Sequence, residues 1–293
     1  MINYIKNDVN QSKIWTNNVG LSRSLIAFAL LMTVLFNDNS YLFDKEIINK
    51  LNFDVINLYT YLEPSAVKII TILTLLMVIS GYYPRFTAVL HWLVTYSFST
   101  TSVVVDGGDQ IASIMTFLLI PILLTDPRKN HWLKYQENIS FSRKIVPYFF
   151  FLLIQLQASF IYFHAAVGKF KVLEWLNGTA VYYWLNNNLF GVNDLFLPYV
   201  NLFLANPFIL VTITWGVLVL ELLLSSMLFI SNLRFKLVFM IFGIIFHFLI
   251  LLAHGLVSFF LIMSATLILY IPAKYFDYDK FKTIIRSQLS TDY

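Results

Sequence analysis

Long apolar runs, separated by short polar stretches, recur along the chain at about 19–36, 65–83, 86–105, 109–125, 146–167, 207–231, 235–253 and 256–272. A hydrocarbon core takes roughly twenty apolar residues wound as a helix, and apart from a closed barrel only a helix satisfies its own backbone there. The pattern therefore predicts an all-α integral membrane protein, a polytopic bundle of about eight transmembrane helices forming a single domain over residues 1–293. The fourth run is short and contains Pro121, which predicts a kink or an incomplete crossing. Between the fifth and sixth runs, residues 170–190 mix aromatic side chains with Asn and Gly. That stretch is too polar to cross a bilayer, and it reads as an interfacial or re-entrant segment. No repeat and no low-complexity linker interrupts the pattern.

The first run follows about twenty polar residues and lacks a small-x-small exit, which predicts a retained signal anchor. Fifteen of the 20 Lys and Arg residues fall in one alternate set of connecting segments. The other set holds only Lys45, Lys50, Lys68, Lys169 and Lys171. By the positive-inside rule both termini are expected in the cytoplasm. Residues 37–64 are then an outer loop, packed on the bundle, in which Asp44 caps a short helix through Ile47, Ile48 and Leu51. The tail from Lys274 reads as an interfacial helix with Tyr278, Phe281, Ile285 and Leu289 on one face. The basic stretch 128–144 reads as an ordinary positive-inside anchor.

Composition narrows the chemistry. With 58% hydrophobic and 12% charged residues, the chain carries about half the charge of a soluble domain, and its expected surroundings are the lipid bilayer. A scattered net charge of +4 does not suggest nucleic acid. The absence of cysteine excludes thiol nucleophiles, CxxC exchange, thiolate metal sites and disulfides. His247 and His254 lie two turns apart, about 10 Å, too far to share an ion, so no metal site is expected. His91, near the inner end of its run, reads as a satisfied packing residue.

Ionisable groups inside apolar runs mark candidate sites because each is costly there. Glu221 is the one acid deep in a run, and counting residues from the inner ends puts His247 at similar depth on the next, antiparallel helix. The two are expected to form an intramembrane polar pair, either as a structural hydrogen bond or as a proton relay. The turn Val105-Asp106-Gly107-Gly108-Asp109 places two carboxylates at the outer surface. Asp109 there either caps a helix or, with Asp106, faces Lys169 across the mouth of the bundle.

Tyr162 to Leu185 is the most informative stretch. It ends an apolar helix and then sets Lys169, Lys171 and Glu174 close together. His164 and Gly168 are expected on the helix face just below Lys169, beside Ala165 and Ala166, whose small side chains admit a helix or flat ligand. A lysine amine kept partly out of water can serve as a base; a lysine at a membrane rim can equally snorkel to the headgroups.

This pattern resembles the HTTM family, the membrane domain shared by vitamin K-dependent gamma-carboxylase and many bacterial proteins. Tyr162, Ala165, Lys169, Trp175 and Gly178 fall on its lysine motif. A second marker is Phe246-His247 followed by a glycine-centred break and Phe259 or Phe260; a third is Gly81 through Arg85 leading to Gly107-Gly108-Asp109. The resemblance implies that Lys169 is the base that deprotonates a reduced quinone, so a membrane quinol is the cofactor it suggests. Ala166 stands where the motif has glycine, and the gap from Lys169 to Trp175 is one residue longer, which leaves Lys171 as a second candidate. Size and layout are most similar to the SdpB (sporulation-delaying protein B) group. That likeness implies a membrane factor acting with a small SdpA-like partner to produce an exported peptide toxin, of bacteriocin type, from its precursor. Under it, Lys169, His164 and Glu174 are candidate catalytic residues at the outer membrane–water interface. Tyr162, Lys171, Trp175, Gly178, Asp106 and Asp109 are candidate binding residues. A carboxylase-like quinol enzyme and a non-enzymatic scaffold, receptor or immunity protein remain as alternatives.

Overall fold

A computed structural model describes residues 2–44, 46, 48, 56–104, 107–133 and 139–271. The described residues form an all-helical bundle of the polytopic membrane kind, in which the only β pairing is two isolated bridges, Phe43 with Ser102 and Tyr82 with Asn130. In order come α1 (Ile2–Gln11), α2 (Asn17–Phe36), the single turn α3 (Asn39–Leu42) and a 3-10 turn at Leu58–Thr60. Then follow α4 (Pro64–Ser80), α5 (Pro84–Thr101), α6 (Gly107–Leu124) and α7 (Phe141–Lys169). The short helices α8 (Leu173–Leu176), α9 (Ala180–Leu185) and α10 (Leu197–Leu204) lead to α11 (Pro207–Ser226), which a 3-10 turn extends to Phe229. The described chain closes with α12 (Leu233–His254) and α13 (Val257–Leu269).

Among the described residues five helices are long and apolar enough to cross a membrane: α2, α6, α7, α12, and α11 with its extension. α4 and α13 are apolar but shorter. α5 has the length without the hydropathy, because it carries a run of hydroxyl side chains. Those hydroxyls bond back to the helix itself, Thr95 to the His91 carbonyl at 3.0 Å and Thr100 to that of Tyr96 at 2.9 Å, as Ser and Thr do where water is scarce. Pro121 sits inside α6 without ending it. Gly81 ends α4 at φ +83°, a left-handed conformation that glycine adopts without steric cost, and Pro84 then opens α5.

Two apolar clusters hold the bundle. The larger joins α2, α6, α7, α11 and α13 through residues such as Ile26, Met115, Ile154, Leu224 and Leu267. The smaller joins α2, α4, α5 and the loop before α4 through Leu30, Tyr59, Leu75 and Phe98. α2 belongs to both, and 61% of its apolar window is buried against 22% for α11 and 17% for α12. The first spanning helix is therefore the axis and α11 and α12 are the flank. α13, the last described helix, packs chiefly on α2.

Within the basic stretch 128–144, the Arg128 guanidinium is buried on Asp126 at 2.8 Å and donates to the carbonyls of His131 and Leu133. Asp44 does accept from the Glu46 N–H at 2.7 Å, as a cap should, while Ile47, Leu51, Asp106 and the whole tail from Lys274 lie outside the described residues.

Candidate functional site

α7 and α11 run antiparallel and are pinned by the Ser159 hydroxyl, which donates to the Ser225 carbonyl at 2.7 Å. At the far end of that contact the rings of Phe170 and Trp215 lie 6.2 Å apart. α7 therefore stops level with Trp215, about 12 Å short of Pro207 where α11 begins. The chain turns back on itself there, and α8 and α9 pack along α11. Trp175 and Ala180 share an apolar cluster with Leu218, and Gly178 meets Val211. A Cβ on Gly178 would lie 2.9 Å from Val211 Cγ2, and its φ of +77° is a second reason for glycine. The segment after Lys169 thus folds back against α11.

Lys169, on the last turn of α7, reaches back toward the bundle interior. Its Nζ donates to Glu221 Oε1 at 2.7 Å and Oε2 at 2.8 Å, and to the Ala165 carbonyl at 3.3 Å. An ammonium has three N–H donors, and all three are filled. Trp175 covers the amine with its ring centroid at 5.2 Å, a cation–π distance. Glu221 lies about 21 Å from Pro207 and about 12 Å from Phe229 along α11. The charged pair is therefore well inside the length of α11.

His247 is at the same depth, but its partner is not Glu221. Its Nε2 shares a 2.9 Å hydrogen bond with the Tyr162 hydroxyl, its Nδ1 has no partner, and its ring packs 5.4 Å from that of Phe259. The expected Glu221–His247 hydrogen bond is replaced by two crossed pairs, because the long lysine side chain folds down one turn and takes the carboxylate. The pairs still share one field: Glu221 acts electrostatically on Tyr162, and Lys169 on His247. Tyr162, Lys169, Trp175, Gly178, His247 and Phe259, which carry the motif likeness, thus gather around α11.

The remaining candidates fall elsewhere. His164 is exposed, with its ring against Phe160 at 5.9 Å, because it points away from the α11 side of α7; it is not below the amine. Lys171 and Glu174 are exposed on the segment after α7. Asp109 is buried in the first turn of α6, and the carboxylate that meets Lys169 is that of Glu221 instead. Among the described residues no group of three or more His, Asp or Glu could hold a metal ion. The Ala165 carbonyl, exposed to the lysine by the end of α7, is a site group that side-chain patterns cannot reveal.

Comparison with known proteins adds two relatives. The chain is 36% identical over 279 residues, 92% of its length and 86% of the relative's, to Sporulation-delaying protein SdpB of Bacillus subtilis (strain 168). It is also 36% identical over 266 residues, 88% of its length and 85% of the relative's, to the uncharacterized protein YitO of the same organism. No family model and no solved structure matches, so the wider HTTM likeness rests on the quoted motifs alone.

Proposed function

The chain belongs to the SdpB family, and from that membership we propose that it is an integral factor of a bacterial cell membrane, required to produce an exported peptide toxin. It works on the peptide precursor beside a small SdpA-like partner, with both termini in the cytoplasm. Its working centre is the Lys169–Glu221 pair under Trp175, with Tyr162 and His247 at the same depth. The observation that carries this reading is the closed ion pair itself. An ionised pair inside an apolar bundle is costly, and here the Glu221 carboxylate is buried, the Lys169 amine is half-buried, and Trp175, one of the residues that carry the motif likeness, lies over it.

In this reading the amine becomes a base only after passing its proton to Glu221, leaving a neutral amine and a carboxylic acid, with a precursor group or a membrane quinol then taking the place of the carboxylate. Lys169→Arg tests this because it keeps the charge and cannot supply a neutral amine. With precursor and mature peptide both followed, production should cease while the protein stays folded and bound to its partner. Full production in Lys169→Arg would refute the base.

A second reading has its own support: with all three ammonium donors filled, the pair can be a lock that fixes α7 to α11 in a non-enzymatic scaffold. Under it, any substitution that keeps the two helices together keeps production.

A further inference from the structure

At the end of the bundle where α7 begins, a second group of polar side chains is buried that the proposed function does not use. Arg23, on α2, has no exposed surface. Its Nη2 donates to Thr87 Oγ1 of α5 at 2.5 Å, while Nε and Nη1 have no partner. A guanidinium carries two donor forks, one shared by Nε and Nη2 and the other by Nη1 and Nη2. Thr87 takes one Nη2 hydrogen, so a complete fork stays open. One turn along α5 from Thr87, His91 is buried with its Nε2 unpartnered. This differs from the satisfied packing residue its position suggested. His131 enters from the loop after α6, with Nε2 3.4 Å from Ser24 Oγ and Nδ1 unpartnered. Both rings interact electrostatically with Arg23.

The backbone is arranged to bring that loop in. The His131 N–H donates to the Gly81 carbonyl at 3.0 Å, and the Tyr83 N–H to that of Lys129 at 2.8 Å. A Cβ on Gly20 or Gly81 would come within 2.9 and 2.7 Å of the His131 ring. Among the described residues the charges do not balance where the loop docks. Asp126 is paired with Arg128, and it reaches Arg23 through the field without a contact. Two buried guanidinium groups thus share one carboxylate, and a buried cation without a bonded anion is costly.

We infer that Arg23, His91 and His131 form a binding site for an oxyanion, the phosphate or carboxylate group of a free ion or of a lipid headgroup. Two oxygens of the anion take the open fork of Arg23, and an imidazole N–H donates a further bond. The unpartnered nitrogens have no solvent contact, so the anion enters as the loop eases off Gly20 and Gly81, and exchange is slow.

The test is thermal unfolding of the full chain in an uncharged detergent, after long equilibration, with sodium phosphate or sodium acetate replacing sodium chloride at constant ionic strength. The midpoint should rise by a few degrees for each tenfold increase in the oxyanion. Arg23→Lys, which keeps the charge and loses the fork, should abolish the rise. Should that variant not fold, His131→Asn takes its place, with the apparent affinity falling at least about tenfold for one lost charge-assisted bond. Native mass spectrometry of the same samples separates the sources: phospholipid retained by the native chain and lost from the variant identifies a lipid-borne phosphate. A midpoint indifferent to both anions with no retained phospholipid overturns the site, and so does an equal rise in native chain and variant.

Discussion

Removing the amine from Lys169 while leaving Glu221 in place is the sharpest perturbation available. The Glu221 side chain is 7% exposed and that of Lys169 21%, so Lys169→Met strands a carboxylate inside the bundle. Breaking a buried pair from one side costs about 3–5 kcal/mol, and the partial exposure of the lysine argues for the lower end, about 3 kcal/mol. The ratio of folded to unfolded protein then falls on the order of a hundredfold. Lys169→Met combined with Glu221→Leu removes both charges and should return stability to within about 1 kcal/mol of the native chain or above it. Thermal unfolding in detergent, read by size-exclusion fluorescence, gives the three midpoints, and following precursor and mature peptide gives production. The expected outcome is a labile single variant and a stable double variant that makes no peptide. A single variant as stable as the native chain, or a double variant as labile as the single, would refute the energetic reasoning. A stable double variant with full production would leave only the lock.

Burial beside Arg23 and Arg128 pushes the His131 imidazole down to about 3. The unfolded chain therefore binds more protons there, and stability should fall as pH drops from about 6.5 toward 3, by at most about 1.4 kcal/mol per pH unit from this residue; His131→Gln should flatten that part of a pH–midpoint curve. Gly178→Ala should cost about 1–2 kcal/mol through its left-handed backbone and its contact with Val211, and adding Val211→Ala should recover only the contact, as unfolding midpoints will report. Because the chain has no cysteine, single cysteines report topology cleanly. An impermeant maleimide should label Glu174→Cys in intact cells and Arg234→Cys only after lysis, and the reverse pattern would refute the cytoplasmic termini.

Hydropathy made the helical frame legible because apolar runs must be long to satisfy a backbone in lipid, and their ends coincide with local signals such as Gly81 with Pro84 and Asn206 with Pro207. Depth was legible too: counting residues put Glu221 and His247 level with one another. Pairing was not. Counting fixes where a Cα lies, whereas lysine reaches more than one helical turn, so Lys169 could leave its own level for Glu221 and free His247 for Tyr162. His164 illustrates the same gap, since its face is decided by which side of α7 meets α11. Arg23 is one of the fifteen Lys and Arg residues of the inner set, and the sequence offers no more about it than that topogenic charge. Its burial depends on a loop about a hundred residues later in the chain that docks on two glycines, a contact that no local pattern announces.

The packing of α13 on α2 also sets an order of events. The first spanning helix leaves the ribosome some 230 residues before the one that covers it, which at 5–20 residues per second is on the order of tens of seconds. Throughout that interval the cradle of the future bundle stands open to lipids and to the insertion machinery. Anything that must be installed beside α2 has its easiest access then, during synthesis, and nonsense mutations that delete α13 should leave chains that membrane proteases recognise as unfinished.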